Sequence, residues 1–285
     1  MSGRHRLFRK YVIVFFSLVG AVLTASGTME IYFSYQENKA ALVRVQREAA
    51  KTAAARIEEF LHEIVTAIAW TAHTEYLPAG TFAEQRQLDY LWLLRRVPSI
   101  TEAMHLDASG RETLRVSRLA RNVVGSGTDR SQDPGFVAAQ AGRTYFGPIY
   151  FRRESEPYMT IALPLQGPDG GVAVAEVNLK LFWGVVSQIQ VGPAGYAYVV
   201  DSAGTLIAHP DISLVLQKTA LGALPQVRTA LAMPFPTGKG SEAGIGADLA
   251  GREMLTAHAA ISPVGWYVFV EQPVREAFSP LYAAV

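Results

Sequence analysis

The pattern of apolar positions divides the chain into three regimes. Residues 11–29, Tyr-Val-Ile-Val-Phe-Phe-Ser-Leu-Val-Gly-Ala-Val-Leu-Thr-Ala-Ser-Gly-Thr-Met, hold no charged side chain. As a helix the run would reach roughly 28 Å, near the thickness of a bilayer's hydrocarbon core. Arg4, Arg6, Arg9 and Lys10 flank it on one side, and Glu30 with Tyr32, Phe33 and Tyr35 on the other. The pattern predicts a basic tail over 1–10 and a membrane helix over 11–33, with the N-terminus cytoplasmic and the rest outside. The alternative is a cleaved secretory signal, with small residues near Ala25 to Gly27. Both readings export the remainder.

The second regime has helical period. Leu42, Val45, Ala49, Ala53, Ile57, Phe60/Leu61, Ile64 and Ile68 form one stripe, and residues 36–77 lack proline and glycine. This predicts a long helix over 34–78, stopped at Pro78 and Gly80, roughly 60 Å in length. It reads as a stalk or dimer spine, or as a helix laid along its own domain. A shorter helix is expected over 82–97, with Leu88, Leu91, Trp92 and Leu94 on its apolar side and Pro98 at its end.

After Pro98 the period becomes strand-like, and the chain repeats itself. Met104-His-Leu-Asp107-Ala-Ser-Gly110 returns 94 residues later as Tyr198-Val-Val-Asp201-Ser-Ala-Gly204. Each is a strand running into a tight turn. Downstream, Tyr158-Met-Thr-Ile-Ala-Leu matches Met254-Leu-Thr-Ala-His-Ala, and Gly171-Val-Ala-Val-Ala-Glu matches Gly265-Trp-Tyr-Val-Phe-Val-Glu. The fold class is therefore α/β (α+β): two tandem modules with antiparallel sheets behind a long helix. Each module carries an insert, at 118–150 and at 209–250, where pockets are commonly built. The glycine-rich stretch Gly238–Gly246 reads as a hairpin loop, since it lacks phosphate-loop spacing.

Composition narrows the function. Apolar residues make up 49% and charged residues 18% of the 285, with a mean hydropathy of +0.14, as a membrane segment would produce. Without the four N-terminal cations, 22 Lys and Arg face 25 Asp and Glu. No basic field for nucleic acid remains. There is no cysteine, so disulfides, thiolate metal sites and thiol catalysis are excluded. No nucleophile–base set or metal-type histidine pair is visible. The chain reads as a binding module with no enzyme activity, metal or cofactor. The rivals are an exported enzyme with an unfamiliar site and a ligand-free structural stalk.

An anchor, a long outward helix and two tandem PAS-like modules resemble the double Cache sensor domain of bacterial transmembrane receptors. Tyr145-Phe-Gly-Pro-Ile-Tyr-Phe-Arg-Arg-Glu-Ser-Glu-Pro-Tyr-Met-Thr-Ile-Ala and Gly195-Tyr-Ala-Tyr-Val-Val-Asp-Ser-Ala-Gly-Thr-Leu-Ile-Ala-His-Pro carry the likeness. The resemblance implies a membrane-distal module at 79–185, a membrane-proximal one at 186–278, and a homodimer in the bacterial inner membrane with its sensor part periplasmic. It implies a small metabolite bound in the distal module. It also implies a second membrane helix leading to a kinase, cyclase or chemotaxis output, whose start would fall at 279–285.

The resemblance also supplies a recognition pattern, which this chain breaks. The family's ligand-gripping arginine, tryptophan and tyrosine fall on Asp133, Gly135 and Phe136, and its amine-holding acid falls near Asn178. Standard amino-acid recognition is therefore not expected. Arg130, Asp133, Tyr145, Tyr150, Arg152, Tyr158 and Asn178 remain as the candidate ligand-binding residues. Arginine suits a carboxylate, so the expected ligand is a small organic anion clamped by Arg130 or Arg152. The plainer alternative is that these arginines pair with Asp133, Glu154 or Glu156.

Overall fold

One helix, α1 (Gly3–Trp70), carries both the uncharged run and the amphipathic stripe. The structure, a computed structural model, describes residues 3–71, 82–152, 156–165, 170–233 and 241–279, without the side chains of 3–14, 31, 34, 35, 82, 83, 241 and 242. The Pro78–Gly80 stop, Glu154, the loop at 238–240 and the segment 280–285 lie outside the described residues. So does the tail of the long helix, 72–78.

In the first half of α1, Phe15, Phe16, Leu18, Val22 and Leu23 are each more than 60% exposed. The hydroxyls there are satisfied within the helix, with Thr24 donating to the Gly20 carbonyl at 2.7 Å and Thr28 to that of Thr24 at 2.9 Å. Among the described residues no helix is long and apolar enough to cross a membrane. The part of the uncharged run whose side chains are described, Phe15 to Met29, is shorter than the roughly 20 residues a span needs.

The second half of α1 is buried along Gln46, Ala50, Ala53, Ile57, Leu61, Ile64 and Ile68. The expected stripe is shifted at its start, for Val45 is 61% exposed. Gln46 replaces it, and its amide donates to the carbonyls of Val270 at 2.9 Å and Leu255 at 3.2 Å. The alanines let the helix lie close against a sheet, so this part of α1 runs along its own domain. Helix α2 (Phe82–Arg96) follows. Its buried face is Tyr90, Leu93 and Leu94, while Leu88 and Trp92 are exposed. Packing chose the face through Tyr90, whose hydroxyl donates to the Met104 carbonyl at 3.4 Å.

The first sheet uses β1 (Ile100–Leu106), β2 (Glu112–Ser117) and β3 (Val123–Val124). Then come helix α3 (Pro134–Gln140), β4 (Tyr145–Phe146), β5 (Tyr150–Arg152), β6 (Glu156–Pro164) and β7 (Val172–Asn178). Helix α4 (Lys180–Ser187) leads to the second sheet. It holds β8 (Tyr196–Val200), β9 (Leu206–Ala208), α5 (Ile212–Leu216), α6 (Pro225–Ala232), β10 (Ser241–Ala247), β11 (Glu253–Ile261), β12 (Trp266–Pro273) and α7 (Val274–Ala277). The strand orders are β3-β2-β1-β7-β6-β4, with β5 also on β6, and β10-β11-β12-β8-β9. Every pairing is antiparallel. The two sheets share one plan, β2-β1-β7-β6 in the first corresponding to β9-β8-β12-β11 in the second. The sequence repeat is thus a repeat of sheet topology.

The two hairpin turns are built alike. The Asp107 carboxylate accepts from the backbone N–H of Ser109 and Arg111, and that of Asp201 from Ala203 and Thr205. One continuous apolar core joins α1, α2, α4, one face of the first sheet and both faces of the second, with α5 and α6. Trp183 and Trp266 lie in it, while Trp92 does not. The inserts cover the sheet faces turned away from α1, with a separate apolar cluster there in the first sheet, and both candidate sites lie on those faces.

Candidate functional site

Strand alternation sorts the first sheet. Ala103, Leu114, Met159, Ile161, Ala175 and Val177 face the core. The other parity points to the insert and changes character along its length. At one end Met104, Leu106, Ala162, Val172 and Val174 meet Phe136 and Ala139 of α3, with Tyr145 packed against them. There α3 sits tight on the sheet: a Cβ at Gly135 would fall 3.2 Å from both Ala162 Cβ and the Tyr145 ring. At the other end the face is polar, with Glu102 of β1, Tyr158 and Thr160 of β6, and Glu176 and Asn178 of β7, while Arg115 and Glu112 of β2 stand opposite Met104 and Leu106.

Register brings these groups together. Glu176 stands opposite Glu102 on one side and Thr160 on the other. Its carboxylate accepts from Thr160 Oγ1 at 3.0 Å and from the Tyr150 hydroxyl. Arg152 bridges the two acids, at 3.8 Å from each, with its guanidinium 4.6 Å from the centre of the Tyr158 ring. The chain of charges continues through Arg115, 3.4 Å from Glu102 and also paired with Glu112, to Arg130. Arg130 binds Glu112 at 3.2 Å and Asp133 at 3.1 Å. Burial opposes the Glu112 charge, but bonds from Arg115, Ser126 and Arg130 outweigh it and hold its carboxyl below the usual range. Burial and the Glu176 carboxylate push the Tyr150 hydroxyl well up, so it stays a donor.

The seven residues expected from sequence divide into three sets. Tyr150, Arg152, Tyr158 and Asn178 come together around Glu176. Arg130 and Asp133 pair with each other and with Glu112, the plain ion-pair alternative. Tyr145 belongs to the apolar end. Asn178 donates to the Tyr158 hydroxyl at 3.1 Å and accepts the Lys180 N–H at 2.8 Å, which ties it to the start of α4. An acid, Glu176, stands two residues before Asn178 on the same face of β7. Glu102, Arg115, Thr160 and Glu176 were missed, although Glu176 ends the segment that matches Gly265–Glu271 and was legible as a repeated polar position.

The second sheet repeats the arrangement. Glu271 stands opposite Tyr196 and Thr256, as Glu176 stands opposite Glu102 and Thr160. It is 1% exposed and accepts from Tyr198 at 2.7 Å, Gln226 at 2.9 Å and Tyr196 at 3.2 Å. The glycine-rich stretch expected to be a loop is strand β10 from Ser241 onward. A Cβ at Gly246 would fall 2.7 Å from Gln226 Oε1, so glycine is what lets Gln226 reach the sheet.

Burial raises the Glu271 carboxyl above the usual range, against its donors Tyr198, Gln226 and Tyr196 and with help from the Asp248 charge. The raised value means that the folded state holds this proton to higher pH than the unfolded state does. Glu271 therefore costs no stability below the ordinary carboxyl range and costs more as pH rises through its folded value. The difference in Tm between Glu271→Gln and wild type is expected to grow in the variant's favour from about pH 4 to pH 7, measured by calorimetry. A difference that is flat or shrinks with pH would refute this.

Residues 34–281 match the Cache domain family. The chain belongs to that family. Cache domains are extracellular small-molecule-sensing parts of membrane receptors, and solved sensor domains share this Cache fold. A Campylobacter jejuni chemoreceptor ligand-binding domain in complex with 4-methylisoleucine has a TM-score of 0.62 at 11% identity, covering 86% of this chain and 96% of its own. The Pseudomonas aeruginosa amino-acid chemoreceptor PctB in complex with L-arginine has a TM-score of 0.58 at 20% identity, covering 85% and 92%. PctC from the same organism, in complex with GABA, has a TM-score of 0.53 at 20% identity, covering 80% and 97%. This Cache chain is a small-molecule-sensing extracytoplasmic module.

Proposed function

We propose that the module is the non-catalytic input part of a homodimeric receptor anchored in a bacterial inner membrane by residues 11–33, with the sensor part periplasmic. The exposed apolar surface of α1 from Phe15 to Phe33 and its internally bonded hydroxyls support the anchor. The ligand site is the polar end of the first sheet, within 79–185. The ligand is a small zwitterion, an amino acid or an amine-bearing acid, with its ammonium on Glu102 and Glu176 and its carboxylate on Arg152. The observation that carries this reading is the charge balance of the array. Glu102, Glu112, Asp133 and Glu176 are set against Arg115, Arg130 and Arg152, and each guanidinium is already paired. A bare organic anion would add to the excess of acid, whereas a zwitterion adds no net charge and brings an ammonium to the acidic groups. The ligands bound by the structural neighbours, two amino acids and GABA, fit the same chemistry.

The test is a thermal-shift screen of the full chain against L-amino acids, GABA, simple amines and dicarboxylates. A ligand present at about 100 times its Kd adds roughly 2.7 kcal/mol of stability. Hits among zwitterions support the reading. Hits confined to carboxylates without an amine restore the arginine clamp for an organic anion. A screen with no hit favours a ligand-free stalk.

A further inference from the structure

The second module has a cavity of its own on the insert side of its sheet. Its volume is about 200 Å³, and Tyr196, Tyr198, His209, Leu221, Leu224 and Glu271 are among its walls. The turn at 248–252 forms its rim, with Leu249 53% exposed. The size is a little above the ~150 Å³ that accommodates a benzene-sized molecule.

The two sheets place a glutamate at the same position but treat its charge differently. In the first, Arg152 supplies a cation at 3.8 Å from Glu176. In the second, no described ion pair involves Glu271. The nearby Arg252 is turned to Asp248 at 2.7 Å and is 69% exposed, so that pair is neutral in itself. The donors to Glu271 are neutral hydroxyl and amide groups. Three act on Oε1, namely Tyr198, Gln226 and a long Thr256 contact at 3.5 Å. Tyr196 alone serves Oε2, at 3.2 Å. A carboxylate has room for about four such bonds, so Oε2 keeps acceptor capacity. His209 brings no compensating charge, since burial holds its imidazolium form down. A buried carboxylate without a counter-ion is costly, and here Glu271 borders a cavity.

We infer that this cavity is a second ligand site, separate from the one in the first module, and that it takes a small primary ammonium with an apolar body. The ammonium would stand beside Glu271 Oε2, where the first module has its own guanidinium. The Tyr196 and Tyr198 rings offer it aromatic faces, and the leucines hold the alkyl or aryl part. Carboxylates are disfavoured, because Glu271 lines the cavity and the one guanidinium in its wall among the described residues, Arg252, is taken up by Asp248.

The experiment is calorimetric titration of the full chain in lipid nanodiscs with 3-methylbutylamine and its near-isosteres 3-methylbutanol and 4-methylpentanoate. The amine is expected to bind at least about tenfold more tightly than the alcohol, with the carboxylate not binding. Glu271→Gln, which keeps the shape and the acceptor oxygen, is expected to weaken the amine by about tenfold or more and leave the alcohol within about threefold. Leu249→Trp, at the exposed rim, is expected to block both. Equal affinities for amine and alcohol would overturn the proposal, as would an amine affinity indifferent to Glu271→Gln. So would binding that Glu176→Gln abolishes and Glu271→Gln does not, because the amine then sits in the first module. Absence of amine binding below about 10 mM would overturn it as well.

Discussion

Phe182→Ala is expected to lower unfolding free energy by about 3–5 kcal/mol, the range for emptying a buried aromatic position. Phe182 lies on α4, between the two sheets, and is fully buried. Its ring centre is 6.0 Å from that of Phe60 on α1 and 5.8 Å from that of Trp266 on β12. The ring thus joins the long helix, the linking helix and the second sheet. Its neighbour Trp183 is held separately, by a bond from its indole N–H to the Ile207 carbonyl at 2.9 Å, so α4 cannot simply slide in to fill the space. For a chain of this size the loss corresponds to roughly 6–20 °C in Tm. Because one core runs through both sheets, the whole exported part is expected to melt in a single transition, shifted as a unit. Leu181→Ala is the control: that side chain is 52% exposed, and its removal is expected to change stability by less than about 0.5 kcal/mol. Denaturant unfolding checks both. A Phe182→Ala loss below about 1 kcal/mol, or two separated transitions, would show that α4 does not tie the sheets together.

Glu176→Ala is expected to reduce affinity for the best zwitterion in a panel of L-amino acids and GABA by about 100-fold, since a hydrogen bond to a charged group contributes about 1.5–3 kcal/mol. Glu176 is the shared partner of Tyr150, Thr160 and Arg152, so removing it also frees Arg152 to swing towards Glu102. Glu176→Gln separates the two effects. The amide keeps an acceptor for Thr160 but lacks the charge. If Glu176 holds the ligand's ammonium, Gln is expected to lose nearly as much affinity as Ala while keeping more of the stability. If Glu176 serves only to hold Tyr150 and Arg152 in place, Gln restores most of the binding. Titration calorimetry with parallel melting curves distinguishes these outcomes. A Glu176→Ala variant that binds as wild type would remove the polar end of the first sheet as the ligand site.

In both modules the informative residue is a glutamate on the last strand of the sheet repeat, Glu176 and Glu271. The first is supplied with a guanidinium and the second is not. The two modules share a topology inherited in their sequence repeat, and have diverged in the charge placed beside one position.

What the sequence by itself determined is what short-range periodicity encodes. The uncharged run, the helical stripe through Ile57 and Ile68, the paired Asp-x-x-Gly turns and the matching strands follow from spacing along the chain. They were enough to place two similar antiparallel sheets behind one long helix. What the tertiary structure decided depends on which residues meet across distance. Tyr90 rather than Leu88 turns inward on α2, with Leu93 and Leu94, because that face packs against β1 and β2. The glycine-rich stretch from Ser241 becomes strand β10 because it pairs with β11 along its length, and Gly246 leaves room for Gln226. Arg130 and Arg152, which the sequence offered either as clamps or as ion-pair partners, have their charges taken up by Glu112, Glu102 and Glu176. Those acids lie up to 50 residues away, and strand register brings them onto one face. Local spacing records which groups a segment carries. Whether a charge is spent on a neighbour or left for a ligand is set by pairing between strands far apart in sequence, and here that pairing separates Glu176 from Glu271.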